Sequence, residues 1–170
     1  MSVETGKAAL RKALLAARRE RGADEGDSWR GVLAVPEVSE ARVVAGYAAL
    51  RGEPDIGTAL EALPGRGVAV VLPVVLPDRD LEFRTPAGEL VPLARADVVL
   101  VPALAADRAG HRLGRGGGSY DRALTRARPG ALVVAVVHPE ELLDSVPVEA
   151  HDIRVGAILA GAELIRIAPY

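Results

Sequence analysis

The sequence predicts an α/β fold: a single three-layer domain with a mainly parallel, Rossmann-like sheet. Three observations carry that prediction. Val68–Leu72, Asp97–Val101 and Ala131–Val137 are nearly continuous β-branched apolar runs, the pattern of strands buried on both faces. Segments with helical spacing or helix-start signals lie between them, and alternation of strand with helix marks the α/β class. The chain has 170 residues, 49% of them apolar. That suffices for one sizeable core and is short for two ordinary domains, so residues 1–170 are read as one unit.

The elements follow in order. Val3–Arg21 contains no proline, and Ala8, Leu10, Ala13, Leu14 and Ala17 share one broad helical face. The opposite face is basic, with Lys7, Arg11, Lys12, Arg18, Arg19 and Arg21; Arg18, Arg19 and Arg21 are expected in solvent. Gly22 stops this helix and Gly22–Asp27 reads as polar loop. Ser28–Val35 is a second helix, capped by Ser28 and ended by Pro36, with Trp29 as a core anchor. Arg42–Leu50 is a strand and Asp55–Leu63 a capped helix ending before Pro64-Gly65. Val68–Leu72 is the first two-sided strand, Leu81–Arg84 a short one and Asp97–Val101 the next buried one. Gly117 or Gly118 opens a helix over Ser119–Arg126. Ala131–Val137 is the last buried strand and Pro139–Leu143 a short helix. Arg154–Leu159 and Glu163–Ile167 close the chain as a hairpin or as edge strands. In such sheets ligands bind beyond the carboxyl ends of the strands. That rule points to the loops after Leu50, Leu72, Val101 and Val137.

Composition removes several function classes. The net charge is −2, from 21 basic and 23 acidic residues, so the chain is not a general nucleic-acid binder. Five aromatics, Trp29, Tyr47, Phe83, Tyr120 and Tyr170, are too few for stacking single strands. No apolar run reaches the roughly 18 residues of a membrane span, because Pro73 interrupts the longest, Val68–Leu76. The first residues carry no apolar leader, and no cysteine occurs. Disulfides, thiolate metal sites and thiol nucleophiles are thereby excluded, and the expected location is the cytoplasm.

The chemistry concentrates in Asp107–Arg122, after a buried strand. Gly114, Gly116, Gly117 and Gly118 leave backbone amides uncovered just before a helix start, an arrangement that attracts anions. Arg112 and Arg115 add fork-shaped cations suited to phosphate oxygens. Asp121 would repel a bare phosphate, and fits if a divalent cation sits between carboxylate and phosphate. A triphosphate with magnesium satisfies all of these features; a flexible surface turn is the simpler alternative for the glycines alone. The stretch lacks the Gly-Lys-Ser/Thr of a Walker loop, and its connection is too long for a dinucleotide fingerprint. Lys7 and Arg11, one turn apart, can act on one anion or form a solvated basic face. His111, His138 and His151 are too scattered in sequence to define a metal site, and His151 is expected to orient its turn.

The run from Asp97 through Arg122 resembles the signature of the 5-formyltetrahydrofolate cyclo-ligase family, also called methenyltetrahydrofolate synthetases. Lys7-Ala8-Ala9-Leu10-Arg11 is similar to that family's N-terminal Lys-x-x-Leu-Arg. Tyr47–Asp55 resembles its strand ending in a substrate-binding glutamate, and Val146–Asp152 its late Pro-x-Glu-x-His-Asp turn. The resemblance implies conversion of 5-formyltetrahydrofolate and ATP to 5,10-methenyltetrahydrofolate, ADP and phosphate, with Mg2+; a monomer is expected. It implies that Lys7, Arg11 and the loop Arg112, Leu113, Gly114, Arg115, Gly116, Gly117, Gly118, Ser119 and Tyr120 bind ATP. It further implies that Asp121 and Asp152 bind magnesium, and that Glu53 and Ala48 meet the folate. Phosphoryl transfer depends on positioning and charge neutralisation, which arginines, a lysine and loop amides supply. Between Phe83 and Asp97, where the family carries a longer aromatic loop with Gly-x-x-Glu-Pro, this chain has only Arg84–Ala96, without either feature. Ser119 stands where many members have tyrosine, and Gly117 where some have lysine. Two rival readings are a non-catalytic nucleotide-binding relative without the folate loop and a sugar-phosphate isomerase-like enzyme.

Overall fold

A computed structural model describes residues 2–22 and 28–169. Residues 23–27, the greater part of the expected polar loop, lie outside the described residues. The chain runs through α1 (Val3–Arg21), α2 (Ser28–Ala34), α3 (Pro36–Glu40), β1 (Val43–Ala45), α4 (Gly57–Ala62), β2 (Ala69–Val75) and β3 (Leu81–Arg84). It continues with β4 (Val98–Pro102), β5 (Ala105–Asp107), β6 (Arg112–Leu113), α5 (Ser119–Leu124), β7 (Leu132–Val137), β8 (Leu142–Leu143), β9 (Ala157–Ala160) and β10 (Glu163–Arg166).

The main sheet has seven strands in the order β10-β9-β7-β4-β1-β2-β3. Its five central strands are parallel, and β3 and β10 are antiparallel strands at the two edges. Numbered among themselves, the parallel strands follow the doubly wound order 2-1-3-4-5, which reverses direction between β1 and β4. Connections leave that point toward opposite faces, so a crevice opens above it.

Strand periodicity divides the core. Val44, Val98, Leu100, Val134, Val136 and Leu159 pack under α2, α3 and α4. Their neighbours Ala45, Val99, Val101, Ala135, Val137 and Ile158 pack on the other face with Phe83 and, from α5, Ala123 and Leu124. Gly46 follows β1 because a Cβ there would lie 2.6 Å from Leu60 of α4. A separate small cluster seats α1: Leu10, Leu14 and Leu15 lie on Leu104, Ala105, Leu113 and Val146.

Several boundaries differ from the sequence reading. Pro36 does not merely end α2; it starts α3 as a first-turn proline, where its missing N–H costs nothing. The strand expected over Arg42–Leu50 stops at Ala45, since the chain turns away to place the Tyr47 hydroxyl on Pro54 O at 2.7 Å. The helix expected from Asp55 begins at Gly57, whose N–H is held by Asp55 Oδ1 at 2.8 Å. β2 runs past Leu72 through Pro73, because its far half pairs with β3 instead of β1. α5 stops at Leu124, short of Arg126. Pro139–Glu141 is a single 3-10 turn followed by β8. β8 joins β5 and β6 in a second, three-stranded sheet, whose strands are too short to show a period. The closing hairpin is present as β9 and β10.

Candidate active site

A cleft of about 660 Å³ opens at the carboxyl ends of β1, β2 and β4, over the point where the strand order reverses. The loops after β1 and β4 and the far half of β2 line it, together with α1. The loop after β7 is not among its lining residues. That loop acts from behind: Glu141 accepts Arg18 Nε at 2.7 Å and Nη2 at 2.8 Å, while Arg18 Nη2 also donates to Ala103 O at 2.6 Å. The expectation that Arg18 is solvated is therefore corrected; it is 2% exposed. Arg21 pairs with Glu140 and, at 3.5 Å, with Glu141. Together these bonds fix α1 across the strand ends.

With α1 fixed, Lys7 and Arg11 project from successive turns into the cleft. Lys7 Nζ donates to Glu149 Oε2 at 2.7 Å and to Asp152 Oδ2 at 2.6 Å. Burial alone would lower the Lys7 pKa, but its two carboxylate partners outweigh that and hold it above its ordinary value. Arg11 Nε donates to Gly114 O at 3.1 Å. Gly116 lies under the same guanidinium: a Cβ there would be 3.4 Å from Arg11, and its φ of +104° suits glycine.

Arg112 is the buried cation of the loop. Its Nη2 donates to Asp121 Oδ1 at 2.7 Å, and Asp121 Oδ1 also accepts Ile153 N at 3.2 Å. Asp121 is thus bonded to the residue next to Asp152, and both acids face the cleft. Arg112 Nε is buried without a partner among the described residues. Burial lowers the Arg112 pKa against the pull of Asp121, Asp152 and Tyr120, and the group stays protonated at neutral pH. Tyr120 lines the cleft with Arg112 and Glu53; burial first, then the Glu53 carboxylate, raise its phenol pKa well above the ordinary value, against the pull of Arg112.

Glu149, His151 and Asp152 bring one ligand atom each within 4.8 Å of one another. The spacing Glu-x-His-Asp could have pointed to this group, which the sequence reading reduced to Asp152 with a turn-orienting His151. Two carboxylate oxygens are hard donors of the kind magnesium takes, and waters and phosphate complete such sites. Glu149 Oε2 and Asp152 Oδ2 already accept Lys7 Nζ, so a divalent cation would fit on their other oxygens or in place of that ammonium.

Across the cleft, Glu53 is 5% exposed. Its partner is Arg115, with Nε and Nη2 both 3.2 Å from Oε1, rather than Arg51. Leu50 N donates to Oε2 at 2.9 Å. Ala48 lies beside Tyr47, and with Pro73, Val75 and Leu81 they form an apolar wall. Ser119 Oγ donates to Arg79 O at 2.6 Å, and Arg122 ties Arg79 O to Gly117 O at 2.9 and 3.1 Å. The β2–β3 turn is thus docked on the glycine loop, a link the sequence did not show. Within Arg84–Ala96 the chain turns tightly at Thr85–Glu89, with Thr85 N donating to Glu89 O at 2.9 Å, and makes a 3-10 turn at Leu93–Arg95; the segment does not line the cleft.

Every residue singled out from the sequence as a site residue lines this one cleft. Arg18, Glu149 and His151 join them there, and no local pattern marks Arg18 apart from its basic neighbours.

Comparisons with known proteins bear on the family. A family model described as the 5-formyltetrahydrofolate cyclo-ligase family matches residues 3–161. The chain is 37% identical to a 5-formyltetrahydrofolate cyclo-ligase of Mycolicibacterium smegmatis, covering 90% of this chain and 92% of that protein. It is 32% identical to the Escherichia coli K12 protein of that name, covering 78% and 85%. Its fold is similar to the solved 5,10-methenyltetrahydrofolate synthetase of Aquifex aeolicus, with a TM-score of 0.82, 27% identity, and 96% and 94% of the two chains covered. A match that spans both the basic helix and the glycine loop shows that the chain belongs to the 5-formyltetrahydrofolate cyclo-ligase family.

Proposed function

We propose that this chain converts 5-formyltetrahydrofolate and ATP to 5,10-methenyltetrahydrofolate, ADP and phosphate, with magnesium as the divalent cation. One observation carries the reading. Lys7, Arg11, Arg112 and Arg115 converge with Glu149, Asp152 and Asp121 in one cleft, beside an apolar wall that ends in a buried glutamate.

The formyl oxygen is a poor leaving group, so it is first made a phosphate ester. The oxygen attacks the terminal phosphorus of ATP, the bond to the bridging oxygen breaks, and ADP leaves with that electron pair. The neighbouring secondary amine then attacks the formyl carbon of the iminium phosphate and gives up its proton to solvent. The carbon–oxygen bond breaks and inorganic phosphate departs.

The chain's own contribution is alignment and charge. Lys7, Arg11, Arg112 and Arg115, with the amides of Leu113–Ser119, neutralise the phosphates, and Tyr120 packs beside them. A magnesium ion, when bound, would neutralise phosphate oxygens further, with Asp121 and Asp152 as ligands and Glu149 beside them. Glu53 accepts N–H groups of the pterin ring beside Ala48, and Tyr47, Pro73 and Leu81 exclude water from the ring.

The short Arg84–Ala96 turn favours one rival, a relative that binds nucleotide without turning folate over. The absorbance of methenyltetrahydrofolate decides between them. Product that forms from 5-formyltetrahydrofolate only with ATP supports the enzyme; nucleotide binding without product supports the rival.

A further inference from the structure

Glu53 and Arg115, 62 residues apart in sequence, meet across the cleft. Arg115 engages Glu53 Oε1 through two donors at 3.2 Å, and Leu50 N engages Oε2 at 2.9 Å. Both carboxylate oxygens are therefore satisfied from within the chain. The partners are held unequally. The Glu53 side chain is 5% exposed and that of Arg115 is 42% exposed. Arg115 also lies between Gly114 and Gly116, whose backbone yields at little steric cost. When the pair parts, the arginine is the member that moves.

On the proposed reading of the site, Glu53 belongs to the folate and Arg115 to the phosphates. Each ligand then competes for a group that already has a partner. Folate donors that take Oε1 release Arg115 without giving it a new anion. Phosphates that take Arg115 leave a buried carboxylate oxygen bare, which is costly. With both ligands present, every group is paired. We propose that Arg115 is a positioning residue for Glu53, and that exchange of this one guanidinium couples the affinities of the two substrates favourably. The coupling is reciprocal: each ligand tightens the other by the same factor.

The test is calorimetric binding of 5-formyltetrahydrofolate to the full chain, alone and with a saturating non-hydrolysable ATP analogue and magnesium. The folate is expected to bind about tenfold tighter with the analogue, and the analogue equally tighter with folate. Arg115→Gln removes the competitor of folate at Oε1. Its folate affinity without nucleotide is expected to rise above that of the unsubstituted chain, its nucleotide affinity to fall, and the coupling factor to approach one. A residue that only held phosphate would leave folate affinity unchanged, and one that only held the fold would weaken it. Arg115→Lys, with one point charge for two contacts, is expected to lie between and serves if the glutamine variant does not fold. Equal folate affinity with and without the analogue overturns the inference, as does unchanged or weaker folate binding by the glutamine variant. Failure of the unsubstituted chain to form methenyltetrahydrofolate overturns the functional reading instead.

Discussion

Arg18 and Glu141 form a closed fork in which two nitrogens of one side chain meet two oxygens of the other at 2.7 and 2.8 Å. Both side chains are 3% exposed. The same arginine donates to Ala103 O, and Glu141 Oε2 accepts His138 N at 3.0 Å. One ion pair thus joins α1 to the loops after β4 and β7. Removing either partner strands a buried charge. Arg18→Met or Glu141→Leu is expected to cost about 3–5 kcal/mol of unfolding free energy, measured by urea denaturation. A loss below about 1 kcal/mol, the value of a solvated pair, would contradict this.

Asp121 holds Arg112 and the backbone beside Asp152. Asp121→Asn is expected to weaken magnesium-dependent nucleotide binding roughly tenfold, the scale of one lost charged hydrogen bond. Nucleotide titrations at several magnesium concentrations test it. Affinity equal to that of the unsubstituted chain at every concentration would remove Asp121 from the site.

Glu53 lines the same cleft as Ala48, Tyr47 and Pro73, and its carboxylate is held by Arg115 and Leu50 N. Glu53→Ala is expected to raise the KM for 5-formyltetrahydrofolate more than the KM for ATP. Steady-state kinetics with each substrate varied in turn would show the reverse order if the two ligands were exchanged in the cleft.

Gly116 combines a φ of +104° with a neighbour, Arg11, 3.4 Å from any added Cβ. Gly116→Ala is expected to cost about 1–3 kcal/mol of local strain and to raise the KM for ATP. Gly65→Ala, with open space around it, is the control and is expected to leave both stability and KM unchanged.

Asp107 is buried, and burial alone would raise its pKa. Hydrogen bonds from Val146 N, His111 N and the His111 ring outweigh that and hold it below the ordinary carboxylate range. A group with a lowered folded-state pKa stabilises above its unfolded value, about pH 3.9, and loses that contribution as pH falls through the folded value. Asp107→Asn is expected to be less stable at pH 7 and to show a flatter loss of stability below about pH 4. Urea midpoints between pH 7 and pH 3 check both.

The parallel strands were legible because burial on both faces imposes long apolar runs, as in Val98–Val101 and Val134–Val137. The glycine loop was legible because its chemistry is contiguous. β5, β6 and β8 were not, since two or three residues show no period. Pro36 was misread because a proline that ends one helix and one that starts the next look alike in sequence. Arg18 was misread because its partner lies 123 residues away, and nothing local separates it from Arg19. Lys7 was recognised only through resemblance; its spacing alone suits a solvated face.

The cation-bearing first helix finds its partners 123 to 145 residues later in the chain, at Glu141, Glu149 and Asp152. On the ribosome that segment emerges before anything exists to receive it. Leu10, Leu14 and Leu15 must wait for Leu104, Ala105 and Leu113, and for Val146 to complete their cover. Competence to hold nucleotide therefore waits until residues 141–152 have been made, and a nascent chain interrupted before Glu141 would carry the glycine loop without the ion pairs that fix the helix above it.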